Sequence, residues 1–99
     1  MALAYDGFDW DAGNRAKCQK HGLTVEEIET FLRNDPLIAP DLRHSLSEQR
    51  FLAVGRDSRG RGMFVVFTMR KRDGLTLLRP LSARYMHRKE IEGYEAKNR

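Results

Sequence analysis

The apolar positions of the chain follow a helical spacing in its first third and a strand-like spacing later. The clearest helix begins at Thr24, which has the spacing of a capping box with Glu27. The apolar residues after this cap recur at helical intervals: Val25, Ile28, Phe31 and Leu32. Asp35 and Pro36 predict the end of this helix near Arg33, because the residue before a proline is displaced from helical backbone angles.

Weaker patterns lie on both sides of this helix. Segment 11–22 predicts a shorter helix with Asp11 as its N-cap, and its apolar face is so thin that docking must stabilise it. Its last residues are the cations and glycine that suit a helix C-terminus: Lys20, His21 and Gly22. Residues 5–9 predict a short strand, and "LIAPD" at 37–41 predicts at most a short extended segment.

A polar loop at residues 42–48 precedes three apolar runs, "RFLAVGRD", "GMFVVFTMR" and "LTLLRPLS". They predict an antiparallel meander, since "SRGR" and the pair Asp73 and Gly74 are hairpin signals. The second run lacks polar alternation, which predicts a central strand covered on both faces. Pro80 in the third run predicts a sheet edge or a bulge.

A third helical pattern, "YMHRKEIEGYEAKNR", closes the chain, and His87, Ile91 and Tyr94 share one of its faces. "SAR" at 82–84 is interpreted as the turn before it. This order predicts an α+β fold in which two N-terminal helices and one C-terminal helix pack on a small antiparallel sheet containing the meander. Ninety-nine residues with 40% hydrophobic content predict one domain over 1–99.

The charge is distributed unevenly along the chain. Residues 1–42 carry four Lys/Arg against eight Asp/Glu, whereas residues 43–99 carry fourteen against six. A basic C-terminal part favours an anionic partner, usually nucleic acid, although a solvated basic surface has the same composition. No apolar run approaches the roughly 18 residues of a membrane span, and no leader pattern is present, so we expect a cytoplasmic protein without membrane contact.

Several other kinds of site fit the sequence poorly. The histidines are far apart and have no second ligand at helical spacing, so we predict no metal and no cofactor: His21, His44 and His87. Cys18 alone forms neither an internal disulfide nor a zinc cage. The glycines of "GRDSRGRG" join two strands rather than a strand and a helix, unlike a phosphate loop. Nothing in the sequence places Ser82 or Cys18 as a nucleophile.

Arginine, glutamate, histidine and tyrosine remain as candidate chemistry. Metal-free RNA cleavage needs a base for the 2′-hydroxyl proton, cations for the phosphorane charge and an acid for the 5′ oxygen. Alternation places Arg50 on one face with Leu52 and Val54, and Glu48 lies two positions earlier on that face. Glu48 is therefore either a base or the partner of Arg50, and an ordinary surface ion pair fits the pattern equally well.

The segment around Arg84 is the second candidate. Arg84 and Arg88 are four residues apart, and two cations at this helical spacing repel, which favours a shared anion or a separate partner for each. Arg84 is thus the first candidate for a phosphate contact. His87 shares a face with Ile91 and Tyr94, which favours a packed, neutral histidine over a catalytic one.

Seven short motifs occur in a characteristic order: "FDWD" at 8–11, "KHG" at 20–22, a helix with "EE", "HS..E.RF" at 44–51, "VGRDSRGR" at 54–61, "VVFT", and "SAR" at 82–84. Together they resemble the BrnT family of bacterial type II toxins, from about Phe8 to Tyr94. The polar residues that match the family's motif positions are His21, Glu48, Arg50, Arg56 and Arg84. "YMHRKE" departs from the more usual threonine- or asparagine-containing start of the last helix.

The resemblance implies a fold like that of the RelE ribonuclease toxins and RNA cleavage that blocks translation. It also implies neutralisation by a BrnA-like antitoxin with a ribbon-helix-helix domain, through which the complex contacts operator DNA and represses its own operon. The leading hypothesis is therefore a metal-independent endoribonuclease.

The roles assigned under this hypothesis follow from the residue types. Arg84 and Arg50 stabilise the phosphate, Glu48 or His21 is the base, and His87 or Tyr85 is the acid. Further cations are assigned to RNA binding: Arg56, Arg59, Arg61 and Arg88. The alternatives are a non-catalytic interaction module that acts as a co-repressor with its antitoxin, and a plain nucleic-acid-binding protein.

Overall fold

The computed structural model describes residues 3–43 and 47–97. In chain order its elements are β1 (Gly7–Phe8), α1 (Ala12–Gln19), α2 (Val25–Arg33), β2 (Leu37–Pro40), β3 (Arg50–Arg56), β4 (Gly62–Arg72), β5 (Leu75–Tyr85) and α3 (Arg88–Lys97). The strands form one sheet in the order β1-β5-β4-β3-β2. The predicted α+β class is confirmed. His44 and the centre of the predicted polar loop lie outside the described residues.

Side-chain caps determine where the first two helices begin. The Asp11 carboxylate accepts from the backbone N–H of Asn14, whose side chain in turn accepts from the backbone N–H of Asp11. Thr24 and Glu27 form the same reciprocal arrangement at α2, which confirms the predicted capping box. α2 ends at Arg33, as predicted from the proline that follows.

The predicted meander is confirmed by the register of its strands. β4 pairs antiparallel with β3 on one side and with β5 on the other, so it is the central strand. Asp73 and Gly74 have φ values of 51° and 80° in the β4–β5 turn, a conformation that a glycine adopts without strain. A register shift opposite Val66 and Phe67 lies next to Pro80, so of the two predicted roles for this proline the bulge is correct.

Three details of the prediction are wrong. The sheet is mixed, because β1 pairs parallel with β5. The "SAR" segment belongs to β5 and not to a turn, since pairing with β4 continues to Met63 opposite Tyr85 and satisfies the backbone there. α3 therefore begins only at Arg88, and the side chain of His87 before it is exposed rather than packed.

The two faces of the sheet are covered unequally. α1 and α2 cover one face over the main core, which includes Cys18, Ile28, Phe31, Val65 and Phe67. α3 covers part of the opposite face through a smaller cluster of Val54, Met86 and Ile91, with Phe64 and Tyr94 against it. With 10 residues α3 is about 15 Å long, against about 36 Å for the 11 residues of β4, so much of this face stays open.

Gly62 permits the close approach of α3 to the sheet. A Cβ atom at this position would lie 2.8 Å from the Cβ of Ile91, which is closer than two non-bonded carbon atoms approach each other. Ile91 is therefore seated directly on the β4 backbone. Within residues 3–43 and 47–97, no helix has the length and apolar character needed to cross a membrane.

Candidate functional site

Strand alternation collects arginines on the face of the sheet that α3 covers only in part. Arg50 is paired with Thr68 of β4, and Arg84 is paired with Phe64. Thr68 and Phe64 are four positions apart on β4 and therefore point to the same face. The same alternation and register place six arginines on it, which we name the arginine face: Arg50, Arg56, Arg70, Arg72, Arg79 and Arg84.

An uncharged strip runs across the middle of the arginine face. Leu52 of β3, Val66 of β4 and Ser82 of β5 are direct cross-strand partners, and all three are half-buried. The strip separates Arg50 from Arg84, which lie two strands and about 13 Å of strand length apart. The face is thus a shallow surface with cations on both sides of a neutral centre.

Arg84 is held in place by an acidic residue of α3. Its Nη1 and Nη2 atoms donate to Oε1 and Oε2 of Glu90 at 3.0 and 2.9 Å, and its guanidinium lies 4.6 Å from the ring centroid of Phe64. The hydrogen bonds from Arg84 hold the pKa of Glu90 below its usual value, and they raise the pKa of Arg84. A phosphate would make the same planar, two-point contact with this guanidinium.

Two further arginines of the arginine face form ion pairs with glutamates. Arg56 donates to both oxygens of Glu95 at 2.8 Å, and Nη2 of Arg70 lies 3.1 Å from Oε2 of Glu48. Glu48 therefore contacts Arg70, a partner that the sequence did not indicate beside Arg50.

Asp9 is shared by two arginines at the far end of the same face. Its Oδ2 atom lies 3.3 Å from Arg72 and 3.5 Å from Arg79, and Arg79 also contacts Asp11 at 2.9 Å. Among the described residues, Oδ2 of Asp9, Nε of Arg70 and Nη1 of Arg79 are buried and form no hydrogen bond of good geometry. A buried charged atom without a hydrogen bond costs free energy. The groups at this end of the face could therefore form further hydrogen bonds with a ligand.

A second polar cluster lies on the opposite side of β5. The Tyr85 hydroxyl donates to Oε2 of Glu27 at 3.2 Å, and Nη2 of Arg59 donates to the same oxygen at 2.7 Å. The guanidinium of Arg61 covers the Tyr85 ring at 3.5 Å from its centroid. The hydrogen bonds with Thr24 at the helix cap, and then those from Tyr85 and Arg59, hold the pKa of Glu27 below its usual value. Burial, and then the bond to Glu27, raises the pKa of Tyr85.

The arrangement of basic side chains on an open sheet face agrees with the result of the family comparison. A model of the ribonuclease toxin BrnT, of a type II toxin-antitoxin system, matches residues 10–90 of the chain. The chain belongs to the BrnT family. The match covers most of the sequence and includes every strand of the meander and both N-terminal helices. No curated protein matches the chain closely enough to count as a relative.

In this BrnT family member, the residues predicted from the sequence to form one catalytic set lie at different places in the fold. Arg84, Arg50 and Glu48 share the arginine face, whereas Tyr85 points to the opposite face because it is the next residue along β5. His21 lies exposed after α1, and it has no hydrogen bond or ion pair with a described residue. The structure therefore does not bring Tyr85 or His21 to Arg84.

The proposed RNA-binding arginines are divided in the same way. Arg56 lies on the arginine face, and Arg59 and Arg61 belong to the Tyr85 cluster. Arg88 is paired with Glu92 at 3.6 Å in α3. Because Arg84 pairs with Glu90 instead, each cation of the Arg84 and Arg88 pair has its own partner, which was one of the two predicted alternatives.

Several residues of the arginine face and of the Tyr85 cluster were not predicted from the sequence. Arg70 and Arg72 carried a usable signal, since alternation along β4 places them on one face. Arg79 carried none, because it is five positions from Arg84 and only the bulge beside Pro80 brings both to the same face. Nothing in the sequence indicated Glu90 or Glu27, because their partners, Arg84 and Tyr85, belong to a different element and only the fold brings the two elements together. Within residues 3–43 and 47–97, no three His, Cys, Asp or Glu side chains are grouped as metal ligands.

Proposed function

We propose that this BrnT family member is a metal-independent endoribonuclease toxin that binds and cleaves RNA on the arginine face and thereby inhibits translation. The observation that carries the proposal is the presence of six arginines on one partly open sheet face around an uncharged strip. A single-stranded nucleic acid needs cations for its phosphates and an uncharged surface beneath its sugars and bases. We further propose that the fold is of the RelE ribonuclease type.

The carboxylates on the arginine face support the proposal, because they occupy positions that phosphates would take. Glu90 binds Arg84 through two parallel bonds, and Glu95 binds Arg56 in the same way. Arginine forms this two-point contact with phosphates as well as with carboxylates. The side chains of Arg84 and Arg56 are 41% and 40% exposed, so an RNA strand can reach both and compete for them.

The chemistry assigned to the face uses its arginines and one carboxylate. Arg50 stabilises the charge of the phosphorane, and Arg84, on the other side of the uncharged strip, binds a second phosphate of the same RNA strand. Glu48, which precedes β3, takes the 2′-hydroxyl proton, and its ion pair with Arg70 fixes the position of the carboxylate. His87 is exposed three residues after Arg84, at the opposite end of the face from Glu48, so water protonates the leaving 5′ oxygen. Base and charge stabilisation come from the chain itself, so the proposed step needs no metal.

The partner and the cellular setting belong to the same proposal. The family description places the protein in a type II toxin-antitoxin system, which implies an antitoxin. We propose a BrnA-like protein with a ribbon-helix-helix domain, contact with operator DNA through that protein alone, and action in the cytoplasm.

Cleavage assays on purified protein test the proposal. Single-stranded RNA is incubated with the wild type in a chelating buffer, and the same assay is made with Arg84→Ala and Arg50→Ala. We expect cleavage by the wild type, a loss of roughly 100-fold in Arg50→Ala, which removes charge stabilisation from the transition state, and a smaller loss in Arg84→Ala, which removes a phosphate contact. Arg15→Ala is the control, because Arg15 is exposed on α1, away from the arginine face.

Three results would contradict the assignment. Absence of cleavage by the wild type rules out the nuclease. Equal cleavage by Arg84→Ala and Arg15→Ala rules out the site. Salt-dependent RNA binding without cleavage would instead support the plain nucleic-acid-binding alternative.

A further inference from the structure

A groove runs between α2 and α3 around the end of β3. It consists of two adjoining cavities of about 290 and 180 Å³, which share Phe31, Asn34 and Arg56 in their walls. We name it the α2–α3 groove. It lies at the end of the sheet where the β3–β4 turn is found.

The floor of this groove is apolar. Phe31, Val54 and Ile91 line the larger cavity and are 3%, 4% and 1% exposed, whereas Leu37 is 41% exposed. The pairing of β2 with β3 begins at Leu37 and Val54, and Pro36 lies beside Gly55 beyond it. The apolar contact that the groove offers to a bound segment is therefore centred on Leu37.

The charge of the groove is opposite to that of the whole protein. Its walls contain two arginines and five carboxylates, a formal charge of −3 in a chain of net charge +4: Arg56, Arg59, Glu26, Glu27, Asp35, Asp57 and Glu95. Glu26 and Asp35 form no ion pair with a described residue. An RNA backbone is repelled by such a surface, whereas a protein segment with Lys or Arg near apolar side chains is attracted to it.

We propose that the α2–α3 groove binds a segment of the antitoxin, in which apolar side chains are flanked by lysine or arginine. The inference rests on the proposed function in one respect, since an antitoxin is expected only if the chain acts as a toxin. It adds the surface and the chemistry of the bound segment. The groove meets the arginine face at Arg56, but its other walls are acidic or apolar, whereas the face is basic.

The position of the groove also connects it to the arginine face. Ile91 and Glu95 in its wall belong to α3, and the same helix holds Arg84 through Glu90. A segment seated between α2 and α3 keeps α3 on the sheet and therefore keeps Glu90 on Arg84. The antitoxin thus inhibits phosphate binding by stabilising a contact that already exists in the free protein.

Binding measurements with matched variants test this inference. The probe is the purified protein encoded by the open reading frame beside this chain's own, and its affinity is measured by calorimetry. Leu37→Asp places a charge in the groove, and Leu75→Asp is its control, because Leu75 is 49% exposed at the distant β4–β5 turn. Glu26→Lys reverses a groove charge, and Glu92→Lys is its control on the outer surface of α3.

We expect Leu37→Asp and Glu26→Lys to weaken binding about tenfold or more, and the two controls to change it less than about twofold. Equal effects of the groove variants and their controls would overturn the inference, as would an absence of binding to the wild type. Sedimentation of the free protein tests a different occupant. If the wild type self-associates and Leu37→Asp does not, a second copy of the chain occupies the groove, and the inference is overturned.

RNA cleavage by the same variants separates this inference from the proposed function. Leu37→Asp and Glu26→Lys are expected to cleave RNA like the wild type, because neither residue belongs to the arginine face. If the wild type does not cleave RNA but the groove variants lose binding to the probe, the nuclease assignment fails and the docking surface stands. If cleavage depends on Arg84 but the groove variants bind normally, only the docking surface fails.

Discussion

Arg84 and Glu90 join the end of β5 to the first turn of α3 through two parallel hydrogen bonds of 3.0 and 2.9 Å. The guanidinium that the proposed chemistry needs for a phosphate is therefore already bound to an anion of the same chain. RNA must displace Glu90 to reach Arg84. This makes Glu90 an internal competitor of the substrate, and it makes α3 part of the site.

Substitution of Glu90 by glutamine is expected to strengthen RNA binding. Glu90→Gln keeps the size of the side chain but removes the charge that competes with phosphate. Because exposed ion pairs contribute under about 1 kcal/mol, we expect the affinity for single-stranded RNA to rise by roughly two- to fivefold. Fluorescence anisotropy at low salt measures it, with Glu29→Gln as the control, because its ion-pair partner Arg33 lies on α2 and α2 covers the opposite face of the sheet. Weaker binding by Glu90→Gln would show that Glu90 does not compete with the phosphate.

A methyl group at Gly62 is expected to displace α3. The added Cβ would lie 2.8 Å from the Cβ of Ile91, so Gly62→Ala forces the helix away from β4. Overpacking of this kind costs about 1–3 kcal/mol in the free energy of unfolding, which urea denaturation measures. Gly93→Ala is the matched control, because no atom lies within 4 Å of its added Cβ and alanine favours the helix. Equal stability of the two variants would contradict the seating of Ile91 on Gly62.

The thiol of Cys18 is expected to be unreactive in the folded protein. Burial raises the pKa of Cys18 to about 11, and its side chain is fully covered by the main core. Only the thiolate reacts readily with alkylating reagents, so the folded protein at about pH 8 should react far more slowly than the urea-unfolded protein. Mass spectrometry of iodoacetamide adducts measures both rates. Rapid labelling of the folded protein would show that α1 opens.

Acid is expected to destabilise the protein through Glu27. Its pKa in the folded state lies below the ordinary value of 4.5, so its contribution to stability is present above that pH and is lost as the pH falls through the folded value. Glu27→Gln should therefore lower the free energy of unfolding at pH 7, and its difference from the wild type should be smaller at a pH well below 4.5. Urea denaturation at both pH values measures this, with Glu26→Gln as the control. A difference that is independent of pH would show that the carboxylate charge does not stabilise the cluster.

The sequence by itself determined the elements whose signals are local. The N-cap at Asp11, the capping box at Thr24, the turn at Asp73 and Gly74, and the apolar runs of the meander each depend on residues within a few positions of one another. Backbone conformation at such places is decided by side chains that touch it directly, so the pattern is sufficient. The order of the motifs was likewise sufficient to indicate the BrnT family.

Only the tertiary structure decided which polar groups meet. "SAR" became strand rather than turn because β4 was long enough to pair with it, and this placed Arg84 and Tyr85 on opposite faces. Glu27 accepts a hydrogen bond from Tyr85, which is 58 positions away in the sequence, and Glu90 of α3 accepts one from Arg84 of β5. Such contacts depend on sheet order and on where each helix is seated, and no local spacing contains that information. The arginine face and the α2–α3 groove are therefore properties of the fold.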